Sequence, residues 1–177
     1  MILIFAVDKS WAIGFDGKML VEIREDLKRF RKLTEGNIVI MGRRTLEAIP
    51  GRNPLPNRIN ILVTRSDKYN NKGFYIIDDL KKLKPLLKEL NPEGDKKVFV
   101  TGGESIVKQL LPYCNRAYIT KILKDFPKTD TNIPNLDLDN SWIIVDESPI
   151  YYQDDLGYKY VEYKRKNKET PFYLNQV

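Results

Sequence analysis

The chain of 177 residues contains no histidine and a single cysteine, Cys114. The missing histidines exclude Ser-His and Cys-His nucleophile pairs, the His-Glu-x-x-His zinc motif and acid–base catalysis by imidazole. One cysteine permits no internal disulfide and no cysteine-rich zinc site, which is typical of proteins from a reducing compartment. Any proton transfer must therefore involve carboxylates, lysines, tyrosines or water.

Long apolar runs are also missing, since none approaches the roughly 18 to 20 residues of a membrane span. The first apolar segment, MILIFAV, lacks a basic stretch before it and is followed at once by Asp8 and Lys9. It therefore predicts a buried strand rather than a signal peptide, and we expect a cytoplasmic protein. The net charge of +6 indicates anionic partners, which include nucleic acid and phosphate-bearing small molecules.

Short apolar runs rich in β-branched residues alternate with helical patterns along the chain. They predict eight strands, at residues 2–7, 38–41, 59–64, 74–77, 98–101, 117–122, 142–146 and 158–163. Four helices are predicted at residues 25–34, 45–49, 79–90 and 105–111. This alternation is typical of an α/β fold with a mostly parallel sheet covered on both faces. We expect the last two strands to form an antiparallel hairpin at the end of that sheet.

Three of the predicted strands end in residues that can bind an anion. These ends contain glycines, hydroxyl groups or arginines, at residues 102–103, 42–45 and 64–66. Helix N-termini and arginine forks both bind phosphate, and ligands of open α/β sheets collect at the carboxyl ends of strands. Each end alone is also explained by a turn glycine or a solvated arginine, but together they indicate a ligand with several phosphates. The Gly-x-Gly-x-x-Gly, Walker and EF-hand motifs do not occur.

Asp26 falls within an apolar stripe of the first predicted helix. If the helix continues to residue 33, one face carries Asp26 together with Ile23, Leu27, Phe30 and Leu33. Burying a charge is costly unless a partner compensates it. Two interpretations follow from the residues alone: an acid stabilised by the helix N-terminus, or a carboxylate in a cleft that binds a ligand with two adjacent N–H donors.

Six segments occur in the order and approximate spacing of dihydrofolate reductase: AVDKSWAIGFDGKM, REDLKRFRKLT, IVIMGRRTLEAI, NPLPNRINILVTR, VFVTGGESIVKQLLP and TDTNIP. The chain resembles this family over about residues 1–164, and VIMGRRT and PLPNRINI are the most specific pieces. Residues 165–177 form a C-terminal tail without an assigned role. The resemblance implies one domain, with an eight-stranded mixed sheet, four flanking helices and a cleft in which NADPH and dihydrofolate meet.

The resemblance also implies how the chain binds its substrate. Asp26 would bind the 2-amino group and the adjacent ring nitrogen of the pterin, and Thr131 would hydrogen-bond to Asp26, so these two are the expected catalytic residues. Arg58 would bind the α-carboxylate of the substrate's glutamate. The apolar walls around the pterin and benzoyl rings would be formed by Ile4, Leu27, Phe30 and Ile49.

For NADPH the resemblance implies a longer series of contacts. Around the nicotinamide it places Ala6, Ile13 and Gly14. Near the phosphates and ribose it places Gly42, Arg43, Arg44, Thr45, Thr64 and Arg65, and two arginines near the ribose favour NADPH over NADH. Beside the cofactor it places Gly102 and Gly103, commonly joined by a cis peptide, followed by Glu104, Ser105 and Ile106.

The reaction implied by the resemblance is hydride transfer to C6 of dihydrofolate, with protonation at N5 through a water molecule. The segment GFDGKMLVEI would close over the nicotinamide and gate access to it. The cofactor carries the chemistry, while the protein contributes orientation, electrostatics and exclusion of water. We expect a monomer that has no resident metal and binds neither nucleic acid nor a membrane.

The chain departs from the family pattern at three places near the expected cleft. Leu20 and Val21 stand where the family usually has Pro-Trp, Arg24 stands in place of a proline, and Val107 in place of a tyrosine. These changes leave the expected fold intact and leave turnover, antifolate sensitivity and substrate identity open.

Two other functions remain alternatives. A related pyrimidine reductase of riboflavin synthesis would keep the fold, but it need not bind a pterin or a glutamate tail, so Asp26 and Arg58 argue against it. A basic nucleic-acid-binding surface is the other, and the sequence contains no recognition-helix or RNP-type motif in its favour.

Overall fold

A computed structural model describes residues 1–69 and 72–166, which form twelve strands and four α-helices. The strands are β1 (Ile2–Val7), β2 (Ala12–Phe15), β3 (Lys18–Met19), β4 (Ile38–Gly42), β5 (Ile59–Val63), β6 (Tyr75–Ile77), β7 (Val98–Gly102), β8 (Arg116–Ile122), β9 (Thr131–Asn132), β10 (Trp142–Glu147), β11 (Tyr151–Gln153) and β12 (Leu156–Arg165). The helices are α1 (Arg24–Thr34), α2 (Arg43–Ala48), α3 (Leu83–Leu90) and α4 (Glu104–Leu110).

The main sheet has the strand order β10-β12-β8-β1-β7-β4-β5-β6, and β11 pairs with β12 beside this path. The six strands from β8 to β6 are parallel to one another, whereas β12 is antiparallel to both β8 and β10. The predicted α/β class is confirmed, as are the mixed, mostly parallel sheet and the antiparallel strands at the C-terminus. All parallel strands end at the same edge, which therefore contains Gly42, Thr64 and Gly102.

Helices cover both faces of the sheet because side chains alternate along each strand. In β4, Ile38 and Ile40 belong to one apolar cluster, while Val39 and Met41 belong to another on the opposite face. The first cluster contains residues of α3 and α4, and the second contains residues of α1 and α2. A strand buried on both faces reads as a continuous apolar run, which is why β4 could be recognised in the sequence.

A second, smaller sheet in the order β3-β2-β9 lies outside the predicted elements. Its strands have only two to four residues, too few to show a periodic pattern. Gly14 of β2 pairs with Met19 and with Thr131, and a Cβ at Gly14 would lie 2.7 Å from the carbonyl oxygen of Lys18. Glycine is therefore needed for this close approach, which joins the segments GFDGKMLVEI and TDTNIP.

The third predicted helix, at residues 79–90, is divided in the structure. A single 3-10 turn, Leu80–Lys82, comes before α3, and the side chain of Asp79 caps this turn by accepting a hydrogen bond of 2.8 Å from the Lys81 N–H. Pro85 lies in the first turn of α3, where its missing N–H is tolerated. The other helix boundaries differ from the predicted ones by one or two residues.

Arg165, which we expected to begin the C-terminal tail, belongs to β12. Its backbone N–H donates to the Asn115 carbonyl at 3.0 Å, and its guanidinium donates to the carbonyls of Cys114 and Leu111 at 2.9 Å each. Residues 167–177 of the expected tail lie outside the described residues. Within the described part of the chain, no helix is long and apolar enough to cross a membrane.

Candidate active site

Asp26 lies in the first turn of α1, and its side chain faces the sheet. The carboxylate accepts a hydrogen bond from the hydroxyl of Thr120, a residue of β8 that is 1% exposed. Burial raises the pKa of Asp26, and the bond from Thr120 and the charge of Arg29 oppose this effect without cancelling it. The partly buried carboxylate is thus bound to a buried hydroxyl, and this placement favours the cleft interpretation over that of a solvated helix-terminal acid.

The prediction that Thr131 hydrogen-bonds to Asp26 is wrong, because Thr120 occupies that role. Thr131 lies in β9, and its hydroxyl donates instead to Asp130 at 2.8 Å. Thr120 is the polar residue on an apolar strand face that it shares with Tyr118 and Ile122. Thr120 was not predicted from the sequence, although a hydroxyl inside the apolar run AYITKI is a signal that could have identified it.

Exchanging the two threonines for valine distinguishes their roles. Thr120→Val removes a hydrogen bond to a charged group, so for the dihydrofolate reduction that the family resemblance implies we expect kcat/KM near neutral pH to fall by about tenfold. Thr131→Val removes only the surface bond to Asp130 and should stay within about twofold of the parent. Steady-state kinetics of both variants measure the difference, and a larger loss in Thr131→Val would restore the original assignment.

Apolar side chains border Asp26 on the α1 side of the sheet. Ile4, Phe30 and Ile49, three of the four residues predicted to line the substrate, belong to or pack against the same cluster. Leu27, the fourth, follows Asp26 on α1 and is 42% exposed. Tyr118, which was not predicted from the sequence, also belongs to this cluster. The carboxylate is thus flanked by an apolar surface on which a flat ring can pack.

Arg58 is anchored at the far end of α1. Its guanidinium donates to the hydroxyl of Thr34, the last residue of the helix, at 3.1 Å and to the carbonyl of Pro56 at 2.9 Å. Arginine has five N–H donors, so donors remain for a ligand carboxylate. Asp26 and Thr34 are eight residues apart on one helix, or about 12 Å at 1.5 Å per residue. The acid and the cation therefore suit an elongated ligand with N–H donors at one end and a carboxylate at the other.

The position of Arg58 at the end of α1 opposite Asp26 leads to a prediction for Arg58→Gln. For dihydrofolate, the substrate that the family resemblance implies, we expect KM to rise by about tenfold or more, because a charge-assisted hydrogen bond is lost, while kcat changes little. A reduced pterin substrate without the glutamate should be turned over equally well by parent and variant. Kinetics with both substrates test this assignment, and an equal loss for the two would contradict it.

The ends of β4 and β7 meet closely at the carboxyl edge of the sheet. Gly102 has φ of +141°, and a Cβ at this position would lie 2.5 Å from Oγ1 of Thr45 and 3.0 Å from its Cγ2. A Cβ at Gly42 would lie 3.2 Å from Cγ1 of Ile106. The Gly102-Gly103 peptide is cis, as the family resemblance implies. These glycines let the starts of α2 and α4 pack closely together at the carboxyl edge of the sheet.

A cavity of about 320 Å³ opens beside this edge, at the ends of β5 and β6. It is lined by Thr64, Arg65, Ser66, Asp67, Ile76, Asp78 and Lys82. The first three were predicted from the sequence, whereas Lys82, which pairs with Asp78 at 2.7 Å, was not, because it lies in a different segment. Its hydroxyl groups and Arg65 can bind a phosphate-bearing group, whereas the charge of Lys82 is already paired with Asp78.

The arginines expected near phosphates differ in their surroundings. The guanidinium of Arg43 binds both carboxylate oxygens of Glu47, each at 2.9 Å, so its charge is already paired. Arg44 and Arg65 are exposed. Of these, Arg65 lines the cavity described above.

The residues expected around the nicotinamide lie on β1 and β2. Ala6 of β1 packs against the cluster of Ile23, Ile122 and Tyr158, and Ile13 of β2 packs against the main core. Glu104, Ser105 and Ile106 form the first turn of α4.

In residues 1–69 and 72–166, no group of histidine, cysteine, aspartate or glutamate side chains is arranged to hold a metal ion.

Two of the three departures from the family pattern, Leu20-Val21 and Arg24, lie where the segment GFDGKMLVEI joins α1. The backbone N–H of Arg24 donates to the Gln153 side chain at 2.8 Å, a bond that proline could not form. Gln153 also donates to the carbonyl of Glu22 at 3.0 Å, and Val21 packs against the cluster that contains Tyr158. The β11–β12 hairpin therefore holds the segment that precedes the helix. Val107 is fully buried in the main core.

Fold and site place the protein among α/β proteins that have candidate ligand-binding residues at the carboxyl edge of a mostly parallel sheet. The family model "Dihydrofolate reductase" matches residues 1–165. The chain is 34% identical to the dihydrofolate reductase of Bacillus subtilis, covering 93% of this chain and 94% of that protein. It is 32% identical to the dihydrofolate reductase of Mycobacterium leprae, covering 92% of this chain and 96% of that protein. It is 34% identical to the dihydrofolate reductase of Sus scrofa, covering 93% of this chain and 97% of that protein. The chain belongs to the dihydrofolate reductase family.

Proposed function

We propose that the protein reduces 7,8-dihydrofolate to 5,6,7,8-tetrahydrofolate with NADPH. The observation that carries this proposal is the partly buried Asp26, bound to Thr120 and bordered by apolar side chains at the N-terminal end of α1. Relatives over nearly the whole chain are dihydrofolate reductases, which supports the same substrate. Arg58 at the other end of the helix supports a substrate with a glutamate tail.

The carboxylate of Asp26 binds the pterin through two parallel hydrogen bonds. The 2-amino group and the adjacent ring nitrogen donate, and the two carboxylate oxygens accept, a pairing that fixes the plane of the ring as well as its position. Phe30 and Ile49 pack against the rings, and Arg58 holds the glutamate carboxylate. Fixing both ends aligns the ring before reaction, which lowers the entropic cost of reaching the transition state.

The residues at the carboxyl edge fit NADPH. Gly42, Gly102 and Gly103 lie where β4 and β7 lead into α2 and α4, and the absence of side chains at Gly42 and Gly102 lets these helix starts lie close together at the proposed cofactor site. Thr45, Thr64, Arg44 and Arg65 would hold its phosphates. When bound, NADPH supplies the hydride that is added to C6 of dihydrofolate. Asp26 orients the ring, and a water molecule carries the proton to N5 because the acid is bonded at the opposite side of the pterin. The segment GFDGKMLVEI, between β2 and α1, would close over this site.

The activity is tested by following NADPH absorbance with purified protein, with and without dihydrofolate, and then with methotrexate. We expect oxidation only in the presence of dihydrofolate and its inhibition by methotrexate. NADPH binding without dihydrofolate binding would instead favour the pyrimidine reductase of riboflavin synthesis. Binding of arbitrary DNA at physiological ionic strength, without affinity for NADPH, would favour a nucleic-acid-binding function.

Cofactor preference depends on the exposed residues Arg44 and Arg65 in this proposal. Arg44→Gln and Arg65→Gln each remove a cation available to the 2′-phosphate, so we expect each variant to lose about tenfold in NADPH affinity while NADH affinity stays the same. Arg43→Gln, which removes the arginine bound to Glu47, is the matched control and should change the ratio of NADPH affinity to NADH affinity little. Titration with both cofactors measures the ratio, and an undiminished NADPH preference in both variants would refute this assignment.

A further inference from the structure

Arg29 lies close to Asp26 on the same helix. The two residues are three positions apart on α1, so their side chains are neighbours on its surface. The guanidinium carbon of Arg29 lies 4.3 Å from the ring centroid of Tyr160 and 5.6 Å from that of Tyr118. Both distances are within the range of about 6 Å in which a cation is attracted to an aromatic face. The two rings therefore hold the cation against the sheet.

The two rings belong to the part of the sheet that contains Thr120. Tyr160 of β12 is directly opposite Thr120 in the β8–β12 ladder. Tyr118 is two residues before Thr120 on β8, so it shares the same face. Since Thr120 also donates to Asp26, these side chains form one cluster around the carboxylate. The cluster joins α1, β8 and β12, which are far apart in the sequence.

Arg29 does not bind the carboxylate directly. Among residues 1–69 and 72–166, no carboxylate lies within ion-pair distance of Arg29. A direct arginine–carboxylate pair is frequently bidentate and occupies both oxygens. Because the rings hold the guanidinium back, its charge acts on Asp26 while the oxygens stay available to the N–H groups of a ligand.

We propose that Arg29 is a positioning residue of the active site, a cation fixed by Tyr118 and Tyr160 that stabilises the charged form of Asp26 without occupying the oxygens that bind the pterin. This rests on the proposed function, because it assumes that Asp26 receives the pterin. Burial raises the pKa of Asp26, whereas Thr120 and the charge of Arg29 lower it. Arg29 thereby extends to lower pH the range in which the carboxylate can accept two hydrogen bonds.

The other groups around Asp26 do not supply this charge. Burial, followed by the neighbouring Tyr158 and Asp26, raises the pKa of Tyr160, so this phenol stays neutral at working pH. Thr120 does not titrate, and Tyr118 contributes its ring. On α1, Glu25 and Lys28 form an exposed ion pair of 2.6 Å with each other. Arg29 is thus the cation whose removal is expected to change the titration of Asp26.

The test compares Arg29→Met with Lys32→Met, which removes the same charge from an exposed position of the same helix. The titration of the Asp26 carboxyl carbon is followed by NMR in the free protein, and kcat/KM for dihydrofolate is measured against pH. We expect both the titration and the acid limb of kcat/KM to shift to higher pH in Arg29→Met and to stay unchanged in Lys32→Met. Arg29→Lys, which keeps the charge, should restore most of the parent profile.

An Asp26 titration in Arg29→Met that coincides with the parent would overturn the proposal. A shift of equal size in Lys32→Met would also do so, because it would show a general effect of helix charge. If Arg29→Met does not fold, Arg29→Gln is measured in the same way, with the same two outcomes. The NMR readout needs no turnover, so failure to reduce dihydrofolate would refute the proposed function and leave this test intact.

Discussion

Replacing Asp26 with asparagine is expected to lower kcat/KM for dihydrofolate by about 10²-fold or more near pH 7. Asparagine keeps the shape of the side chain, but it has one acceptor oxygen and an NH2 group that would face a donor of the pterin. Loss of a partner in a buried, charged hydrogen-bonded pair costs about 3 kcal/mol, which corresponds to about 10²-fold in rate. NADPH oxidation by the two proteins over a range of dihydrofolate concentrations measures the loss.

Glu25→Gln is the matched control for this substitution. It makes the same change from acid to amide at the preceding residue of α1, where the side chain is exposed and paired with Lys28. We expect turnover within about twofold of the parent, because exposed ion pairs contribute little. Unchanged turnover in Asp26→Asn, or an equal loss in both variants, would remove Asp26 from the mechanism.

Asp26→Asn should also stabilise the protein when no ligand is bound. Burial raises the pKa of Asp26 in the folded state, so ionisation is less favourable there than in the unfolded chain. The resulting destabilisation is absent below the unfolded pKa of about 3.9, develops as pH rises, and is complete above the folded pKa. Asp26→Asn is therefore expected to melt a few degrees higher than the parent at pH 7 and at the same temperature near pH 3. A lower melting temperature at pH 7 would show that the ionised carboxylate stabilises the fold.

The sequence predicted those parts of the fold that have long, regular patterns. The strands buried on both faces, such as β4 and β5, appear as continuous apolar runs, and α1 appears through its apolar stripe. The strands β2, β3, β9 and β11 were missed because runs of two to four residues have no period that can be measured. The pairing of β2 with β9 joins segments far apart in the chain, whereas β2–β3 and β11–β12 are local hairpins.

Side-chain partners show the same limit. The pairing of Arg43 with Glu47 follows a helical spacing of four and could have been predicted, although Arg43 was expected at a phosphate. The pairing of Asp26 with Thr120 joins residues 94 positions apart and depends on the register of the sheet. An acid can thus be recognised as unusual from its own helix, but its partner becomes visible only when the strands are placed.

Gly102→Ala is expected to abolish the stabilisation of the protein by NADPH. The added Cβ would lie 2.5 Å from Oγ1 of Thr45, and φ of +141° is unfavourable for any residue with a side chain. Relieving the contact must displace the end of β7 or the start of α2, and both border the proposed cofactor site. We expect the free energy of unfolding to fall by about 2 kcal/mol or more and the rise in melting temperature with NADPH to be lost.

Gly94→Ala separates the effect of backbone conformation from that of crowding. Gly94 has φ of +69°, and nothing lies within 4 Å of an added Cβ, so its cost should be about 1 kcal/mol with the NADPH response intact. Thr45→Ala removes the atoms closest to the new methyl group, and Gly102→Ala combined with Thr45→Ala should regain part of the lost stability. Thermal melts of the single and double variants, with and without NADPH, give the coupling between the two sites. Additive losses in the double variant, or a normal NADPH response in Gly102→Ala, would show that the close approach of Gly102 to Thr45 does not shape the cofactor site.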